Sequence, residues 1–255
     1  MLEGQMADSP TVAMGGEEVV AVGAGMHASA RRRGLWSAED IRQSMLVYAV
    51  TDRAWLRGRS LAQCVEQALD GGATFIQLRE KNVAHNDIVA LARELLPLCR
   101  RARVPFVIDD DVEAALEVGA DGVHVGQEDA ACTEARARLG EDAIIGVSVG
   151  TVAQALQAQV DGADYLGVGA MFATPTKTDA AVVSKETLEE ICAAVDIPVV
   201  IIGGINASTV ARFAGTGFDG AAVVSAIFAA DDIEMATRDL AATVRAAQMQ
   251  TETQG

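Results

Sequence analysis

Short apolar segments alternate with longer amphipathic segments over most of the chain. The short segments are rich in Val, Ile and Ala and hold few polar residues, which is typical of parallel strands covered on both faces. These predicted strands lie at 46–50, within 72–78, at 105–108, within 119–125, at 144–147, within 162–168, at 198–202 and within 217–224. Between them, apolar residues recur with the helical period, which predicts helices at 61–69, 87–101, 112–118, 151–160, 185–195 and 232–247.

Glycine marks the step from helix to strand in four of these units. Gly72, Gly119, Gly162 and Gly217 each stand just before a predicted strand. Glycine adopts the left-handed conformation that ends many helices, so the residues after it can enter the sheet directly. Strands that alternate with helices form parallel sheets, and eight such units predict an α/β domain with the (β/α)8 TIM-barrel fold. An open, doubly wound sheet is the alternative.

The two ends of the chain differ from this repeating region. Residues 1–36 are rich in Gly, Ala, Met and charged residues without a sustained period, so we expect a flexible leader there. Ser37, followed by Glu39 and Asp40, is typical of a helix start. The predicted organisation is a leader at 1–36, a catalytic barrel domain with a short first helix at 37–248, and a flexible tail at 249–255.

Composition fits this fold and restricts the partners. The 255 residues match the ~250 of a typical TIM barrel, and 50% hydrophobic residues with only 4% aromatics imply an aliphatic core. The net charge of −16 disfavours nucleic acid and anionic membranes, but local cations can still bind anionic small molecules. We find no membrane-spanning stretch, no secretory signal and no metal-binding cysteine pattern. We therefore predict a cytoplasmic enzyme for small-molecule substrates, compatible with a homo-oligomer.

Polar side chains at the end of the second predicted strand form the first candidate site. Gln77, Arg79 and Lys81 alternate along the chain, so an extended backbone places them on one side. Active sites of TIM barrels lie at the carboxyl ends of the strands. Arginine binds phosphate oxygens in pairs and lysine adds a compact charge, so this group predicts a diphosphate site. A solvated loop is the alternative interpretation.

Carboxylates follow the third and fourth predicted strands. Asp109, Asp110 and Asp111 end the third strand, and Asp129 comes shortly after the fourth. Neighbouring strand ends bring these groups together, and hard oxygen ligands without nearby cysteine or histidine favour Mg²⁺. Asp111 is best placed to cap the following helix instead of binding a metal.

Phosphate-binding groups follow the later strands. Thr174, Thr176 and Lys177 come after the sixth strand, although a Thr-Pro turn is an alternative explanation for them. Gly204 and Ser225 follow the seventh and eighth strands, where barrels often bind phosphate through backbone N–H groups. The sequence thus predicts two anion sites with a metal beside the first. The histidines are not expected to act as catalytic bases: His27, His85 and His124.

Seven motifs in this order resemble the thiamine-phosphate synthase family over residues 45–230. They are YAVTD at 48–52, QLREK at 77–81, ADGVHVGQED at 120–129, GVS at 146–148, TPTK at 174–177, IGGI at 202–205 and VVSAI at 223–227. Each motif alone is ordinary, but the ordered set is specific. The resemblance implies an Mg²⁺-dependent transferase that couples a pyrimidine diphosphate to a thiazole phosphate, giving thiamine phosphate and pyrophosphate.

The resemblance also implies roles for individual residues. It assigns the pyrimidine diphosphate to Gln77, Leu78, Arg79, Glu80, Lys81, Asp109, Ser148 and Lys177. It assigns the thiazole phosphate to Thr174, Pro175, Thr176, Gly204, Val224 and Ser225. Asp110 and Asp129 are the implied Mg²⁺ ligands. Arg79, Lys81, Ser148 and Lys177 are the residues expected to act in catalysis.

Two positions depart from the family pattern. Asp109 stands where the family usually has Asn, which replaces an amide donor by a negative charge near the diphosphate. Gly150 stands where many relatives have His, so this loop need not supply an imidazole. The alternative functions are a thiazole tautomerase of the same fold, a non-catalytic regulator that binds a phosphorylated metabolite, and another phosphate-binding isomerase or aldolase.

Overall fold

Eight parallel strands close into a barrel in the computed structural model, which describes residues 36–126, 132–173 and 182–252. The strands pair in chain order, and the eighth pairs with the first. They are β1 (Val47–Val50), β2 (Phe75–Leu78), β3 (Phe106–Asp109), β4 (Gly122–Val125), β5 (Ile144–Val149), β6 (Tyr165–Val168), β7 (Val199–Ile202) and β8 (Gly220–Val223). Closure confirms the predicted (β/α)8 barrel and excludes the open sheet.

Helices surround the barrel. They are α1 (Ala38–Ser44), α2 (Leu61–Asp70), α3 (His85–Ala102), α4 (Val112–Val118), α5 (Cys132–Leu139), α6 (Val152–Val160), α7 (Lys185–Ala194), α8 (Ser225–Phe228) and α9 (Ile233–Glu252). The described segment between β7 and β8 contains only a 3₁₀ turn, Val210–Phe213. Among the described residues, no helix is long and apolar enough to cross a membrane.

Two helices were not predicted from the sequence. Helix α5 is mostly polar, and only Cys132 and Ala135 of its residues are buried, so it lacks a strong apolar stripe. Helix α8 has a single turn, which is too short to show periodicity. The predicted start of α1 is confirmed, because the Ser37 and Asp40 side chains form a reciprocal capping box. Residues 1–35 and 253–255 of the predicted leader and tail lie outside the described residues.

Alternation along the strands divides the apolar residues into an outer and an inner set. Outward residues, such as Val47 on β1 and Ile76 on β2, pack beneath the helices. Inward residues, including Tyr48, Phe75 and Tyr165, fill the barrel interior. The aromatic residues are few, but these three are fully buried and contact one another inside the barrel.

The turns at the amino ends of the even-numbered strands share one hydrogen-bonding device. All four predicted turn glycines have the expected positive φ: Gly72, Gly119, Gly162 and Gly217. The side chain two residues after each glycine accepts a hydrogen bond from an N–H group in the preceding strand. The pairs are Thr74 with Val47 (2.9 Å), Asp121 with Phe106 (2.8 Å), Asp164 with Ile145 (2.7 Å) and Asp219 with Val199 (2.8 Å). The repeated sequence pattern therefore fixes where successive strands begin.

Each of the three aspartates has a second partner that ties the strand to another segment. Asp121 accepts from Trp36 (3.0 Å), and Asp219 pairs with Arg42 of α1. Asp164 pairs with Arg136 of α5 at 2.7 Å, and both of these side chains are largely buried, at 14% and 13% exposure. Arg136 also donates to backbone carbonyls around the turn, including that of Gly162. The Asp164–Arg136 pair is the best enclosed of the three.

We predict that Asp164→Ala lowers the free energy of unfolding by about 2–4 kcal/mol, because it leaves the largely buried Arg136 charge and the Ile145 N–H unpaired. Urea denaturation measures the change. Glu66→Ala serves as the control, since it removes an exposed ion pair with Arg101 and should cost less than about 0.5 kcal/mol. Equal losses in the two variants would contradict this assignment.

Candidate active site

Three side chains from the end of β2 converge on Asp109 at the end of β3. Gln77 donates through Nε2 to Asp109 Oδ1 at 3.0 Å. Arg79 Nε and Lys81 Nζ lie 3.6 and 3.2 Å from the other carboxylate oxygen. The alternation that predicted one shared side for Gln77, Arg79 and Lys81 is therefore confirmed. Gln77, Arg79, Lys81 and Asp109 lie at the carboxyl ends of neighbouring strands. We call this polar cluster the cradle.

The backbone beneath the cradle is fixed by the end of β1. The N–H group of Thr51 donates to the Gln77 carbonyl at 3.0 Å, and the Thr51 hydroxyl accepts from the N–H group of Arg79 at 3.0 Å. Thr51 is fully buried, and Gln77 is nearly so. These two bonds continue the β1–β2 pairing past the end of the strand, so Arg79 leaves the sheet in a defined direction.

Asp110 turns the chain sharply at the rim. Its φ of 62° lies in the left-handed region, which costs energy for a residue with a side chain. The turn is held because Asp110 N donates to the carbonyl of His124 on β4 at 2.9 Å. The Asp110 carboxylate then pairs with Lys81. Asp111 faces away and accepts from Ala114 N at 2.8 Å, which confirms its predicted role as the cap of α4.

Burial and ion pairing shift the pKa values of the cradle. Burial raises the pKa of Asp109 above its ordinary value, and the charge of Asp110 adds to this against the opposing effect of Lys81 and Arg79. Partial burial lowers the pKa of Lys81, but its hydrogen bond to Asp110 and the two nearby carboxylates outweigh that effect, so the net pKa is raised. Lys81 is therefore a stable cation, whereas Asp109 carries its negative charge at a cost.

Leu78 and Glu80 alternate with the cradle residues and make different contacts. The Leu78 side chain is buried in the outer apolar core. Glu80 pairs with Arg53 at 2.6 Å, and its side chain is only 4% exposed. Burial raises the pKa of Glu80, with the Arg53 pair opposing this shift. Its Oε1 atom is buried and accepts no hydrogen bond within the described residues.

The cradle offers hard oxygen ligands for a cation. Asp109 and Asp110 present carboxylates at the rim, and Asp129 lies outside the described residues. The described residues contain no group of three His, Cys, Asp or Glu side chains placed to hold a metal by themselves. Mg²⁺ commonly binds one or two carboxylates and completes its shell with water and substrate phosphates. The donor set therefore fits Mg²⁺ brought in with a diphosphate.

A second candidate surface for an anion follows β7 and β8. The φ of Gly204 is +74°, and a Cβ atom there would come within 2.7 Å of the Phe172 Cβ, so only glycine fits this turn. Within the described residues, the N–H groups of Gly204 and Ser225 donate no hydrogen bond. Val224 packs against the inner core and leads into α8. The other predicted residues of this surface lie outside the described residues: Thr174, Pro175, Thr176 and Lys177.

His124 lies in the site, although it was not expected to act as a base. It lies on the inner face of β4, and its Nε2 atom is 2.9 Å from the Ser148 Oγ on β5. Its Nδ1 atom is 2.9 Å from the Tyr165 hydroxyl. The signal was present in the alternation, because His124 occupies the inward position after Gly122.

Comparison with known proteins points to one family. The family described as thiamine monophosphate synthase matches residues 47–227. A thiamine-phosphate synthase of Clostridium tetani is 46% identical over 194 residues, which are 76% of this chain and 93% of the relative. The synthase of Chloroflexus aurantiacus is 48% identical over 203 residues, 79% of this chain and 94% of the relative. A thiamine phosphate pyrophosphorylase structure from Pyrococcus furiosus superposes with a TM-score of 0.75 at 39% identity, covering 82% and 99% of the two chains.

We predict that Asp109→Asn strengthens pyrophosphate binding several-fold, because it removes a buried negative charge that pairs with Arg79 and Lys81. Isothermal titration calorimetry with pyrophosphate measures the effect. Glu113→Gln is the matched control, since it neutralises a nearby carboxylate that pairs with Arg138 instead of the cradle. A large loss of affinity in Asp109→Asn would show that the carboxylate itself takes part in binding.

Proposed function

The chain belongs to the thiamine monophosphate synthase family and is a transferase of thiamine biosynthesis, and from this we propose how its barrel mouth divides the reaction. The cradle binds the diphosphate of an aminopyrimidine, and the surface after β7 and β8 binds a thiazole phosphate. The observation that carries the proposal is the convergence of Gln77, Arg79 and Lys81 at one point of the rim.

The cradle suits a diphosphate because it offers different kinds of donors from one direction. Arg79 can bind two phosphate oxygens at once, Lys81 supplies a point charge, and Gln77 adds an amide. In the described structure these groups are satisfied by Asp109 and Asp110. A diphosphate competes for the same donors, so its binding exchanges one set of ion pairs for another and leaves no buried cation unpaired.

The second surface suits the smaller phosphate of the thiazole. The Gly204 and Ser225 N–H groups supply backbone donors, and barrels frequently bind phosphate after strands 7 and 8. These donors follow other strands than the cradle residues, so the two anions would occupy separate positions. We propose that Thr174, Pro175 and Thr176 complete this surface and that Lys177 reaches the diphosphate, as the family resemblance implies.

We propose Mg²⁺ as the cofactor, held by Asp110 and Asp129 together with diphosphate oxygens. Bound there, the ion would neutralise charge on the departing diphosphate. Asp109 lies close enough to its neighbours to affect this site, since Lys81 contacts both Asp109 and Asp110. The additional carboxylate increases the negative charge beside the proposed ion.

In the proposed mechanism, the bond between the pyrimidine methylene carbon and the diphosphate oxygen breaks, and the electron pair leaves with pyrophosphate. Arg79, Lys81, Ser148 and Lys177 stabilise the charge that develops on that leaving group. The thiazole nitrogen then donates its electron pair to the methylene cation and forms the new carbon–nitrogen bond. The barrel holds both rings in line, which replaces a bimolecular encounter by an oriented one. No side chain has to act as a base.

Two rival functions require less than the site provides, and a third requires a group that the described strands lack. A thiazole tautomerase would use the phosphate surface but has no need for the cradle and its carboxylates. A regulator that only binds a phosphorylated metabolite likewise needs one anion site. An aldolase that uses a Schiff base would need a lysine inside the barrel, and no described strand of this barrel contains a lysine.

We predict that the purified protein, given the pyrimidine diphosphate, the thiazole phosphate and Mg²⁺, releases pyrophosphate and forms thiamine phosphate. Lys81→Gln should lower kcat about 10²- to 10³-fold, as expected for loss of a charge that stabilises the leaving group. Arg93→Gln is the control, because this exposed residue pairs with Glu117 away from the mouth. Both reactions are followed by pyrophosphate release and product chromatography. Binding of the thiazole phosphate without coupling would favour the tautomerase.

A further inference from the structure

A chain of hydrogen bonds runs through the barrel interior to the mouth. The Tyr48 hydroxyl lies 2.7 Å from the Tyr165 hydroxyl. The Tyr165 hydroxyl lies 2.9 Å from His124 Nδ1, and His124 Nε2 lies 2.9 Å from Ser148 Oγ. These four residues come from β1, β6, β4 and β5. The first two are fully buried among aromatic and aliphatic side chains, whereas Ser148 lies toward the carboxyl end of its strand.

Two glycines make room for this chain. A Cβ atom on Gly146 would lie 2.0 Å from Tyr165 Cζ and 2.5 Å from His124 Nδ1. A Cβ atom on Gly167 would lie 3.2 Å from His124 Cε1. Any larger residue at position 146 would separate Tyr165 from His124, so the sequence keeps open the space in which the two side chains meet.

The direction of these bonds follows from counting hydrogens. In the part of the chain that the structure describes, the Tyr48 hydroxyl has one hydrogen-bond partner, the Tyr165 hydroxyl. Burial raises the pKa of both phenols far above the ordinary value, so both keep their hydrogens. If Tyr165 donated to Tyr48, the buried Tyr48 hydrogen would lack an acceptor, which is costly. Tyr48 therefore donates to Tyr165.

The remaining bonds are then determined in sequence. The Tyr165 hydroxyl, which accepts from Tyr48, donates to His124 Nδ1. An imidazole that accepts at Nδ1 is neutral and carries its hydrogen on Nε2. That hydrogen is donated to Ser148 Oγ. The Ser148 hydroxyl hydrogen therefore cannot be directed at the imidazole.

We propose that Tyr165 and His124 are positioning residues that hold the hydroxyl hydrogen of Ser148 toward the diphosphate of the pyrimidine substrate. The inference rests on the proposed function, since it assumes that Ser148 meets the diphosphate. No proton is transferred along these hydrogen bonds, and no covalent bond in these four residues is broken. Its effect is to keep Ser148 as a donor to the leaving group, because a preorganised donor needs no reorientation when charge develops there.

Nuclear magnetic resonance of protein labelled with ¹⁵N-histidine tests the direction of the His124 hydrogen bonds in the absence of substrates. The chain has three histidines, and His124→Gln identifies the signal of interest. The proposal predicts a neutral His124 with its hydrogen on Nε2 in the unmodified protein. Tyr165→Phe should shift the Nδ1 resonance, because its hydrogen-bond donor is removed. An imidazolium, or a ring with its hydrogen on Nδ1 alone, would overturn the proposal.

Steady-state kinetics test whether the direction of these hydrogen bonds affects the reaction. His124→Leu should lower kcat about 10- to 100-fold, less than the roughly 10²- to 10³-fold for outright loss of a preorganised donor because the Ser148 hydroxyl remains, with KM for the pyrimidine diphosphate changed less than about threefold. His124→Gln should recover most of that loss, because its amide can accept from Tyr165 and donate to Ser148. The kcat of Tyr165→Phe should lie between those of His124→Leu and His124→Gln.

The Ser148→Ala background separates positioning from a structural role. In that background, His124→Leu and His124→Gln should have equal kcat, because no hydroxyl is left to orient. A similar loss from His124→Leu in both backgrounds would overturn the proposal, as would no loss in either. Circular dichroism confirms that each variant is folded. If the unmodified protein forms no thiamine phosphate, the proposed function fails, while the resonance experiment still reports on the hydrogen-bond direction.

Discussion

Closure of the eight-stranded parallel sheet forces alternate side chains of every strand into one shared interior and places all the strand carboxyl ends on one rim. The interior is filled largely by aliphatic side chains and a small group of buried aromatic residues. Polar side chains are stable in this space only where they have hydrogen-bond partners and where small residues on neighbouring strands leave room for them. Tyr48, Tyr165 and His124 meet both conditions, with Gly146 supplying the space. The same alternation carries Gln77 and Arg79 to the rim.

At the rim of the barrel, positively and negatively charged side chains pair with one another. A chain with a net charge of −16 still gathers Arg79 and Lys81 at one place, and it holds them there with Asp109 and Asp110. Such pairs keep the cations oriented while the site is unliganded, and they also compete with an incoming anion. We therefore expect the charge of Asp109 to affect both the order of the cradle and the free energy with which the cradle binds an anion.

Sequence reasoning predicted most of the barrel because its signals are local. The glycines before the strands and the apolar segments each act within a few residues, and the structure places strands at all the predicted segments. The convergence of Gln77, Arg79 and Lys81 also follows from local alternation. Helix α5 was missed because its few buried positions form no clear period.

The part that could not be predicted from the sequence depends on contacts between residues far apart in the chain. The bond between Tyr48 and Tyr165 spans 117 positions and appears only when β1 and β6 face each other across the interior. The ion pairing of Asp109 with Arg79 and Lys81, which follow the neighbouring strand β2, depends likewise on strand register. These contacts between strands determine how the rim residues are oriented, whereas the local sequence pattern determines only which residues lie at the rim.

We propose that the cradle, and not the surface after β7 and β8, binds the diphosphate with Mg²⁺. A crystal structure of the protein soaked with pyrophosphate and Mg²⁺ tests this directly. We expect pyrophosphate bound by Arg79 and Lys81, with both cations moved away from Asp109 and the metal bound to Asp110. Pyrophosphate bound only at Gly204 and Ser225, with the contacts of Lys81 to Asp109 and Asp110 unchanged, would contradict it.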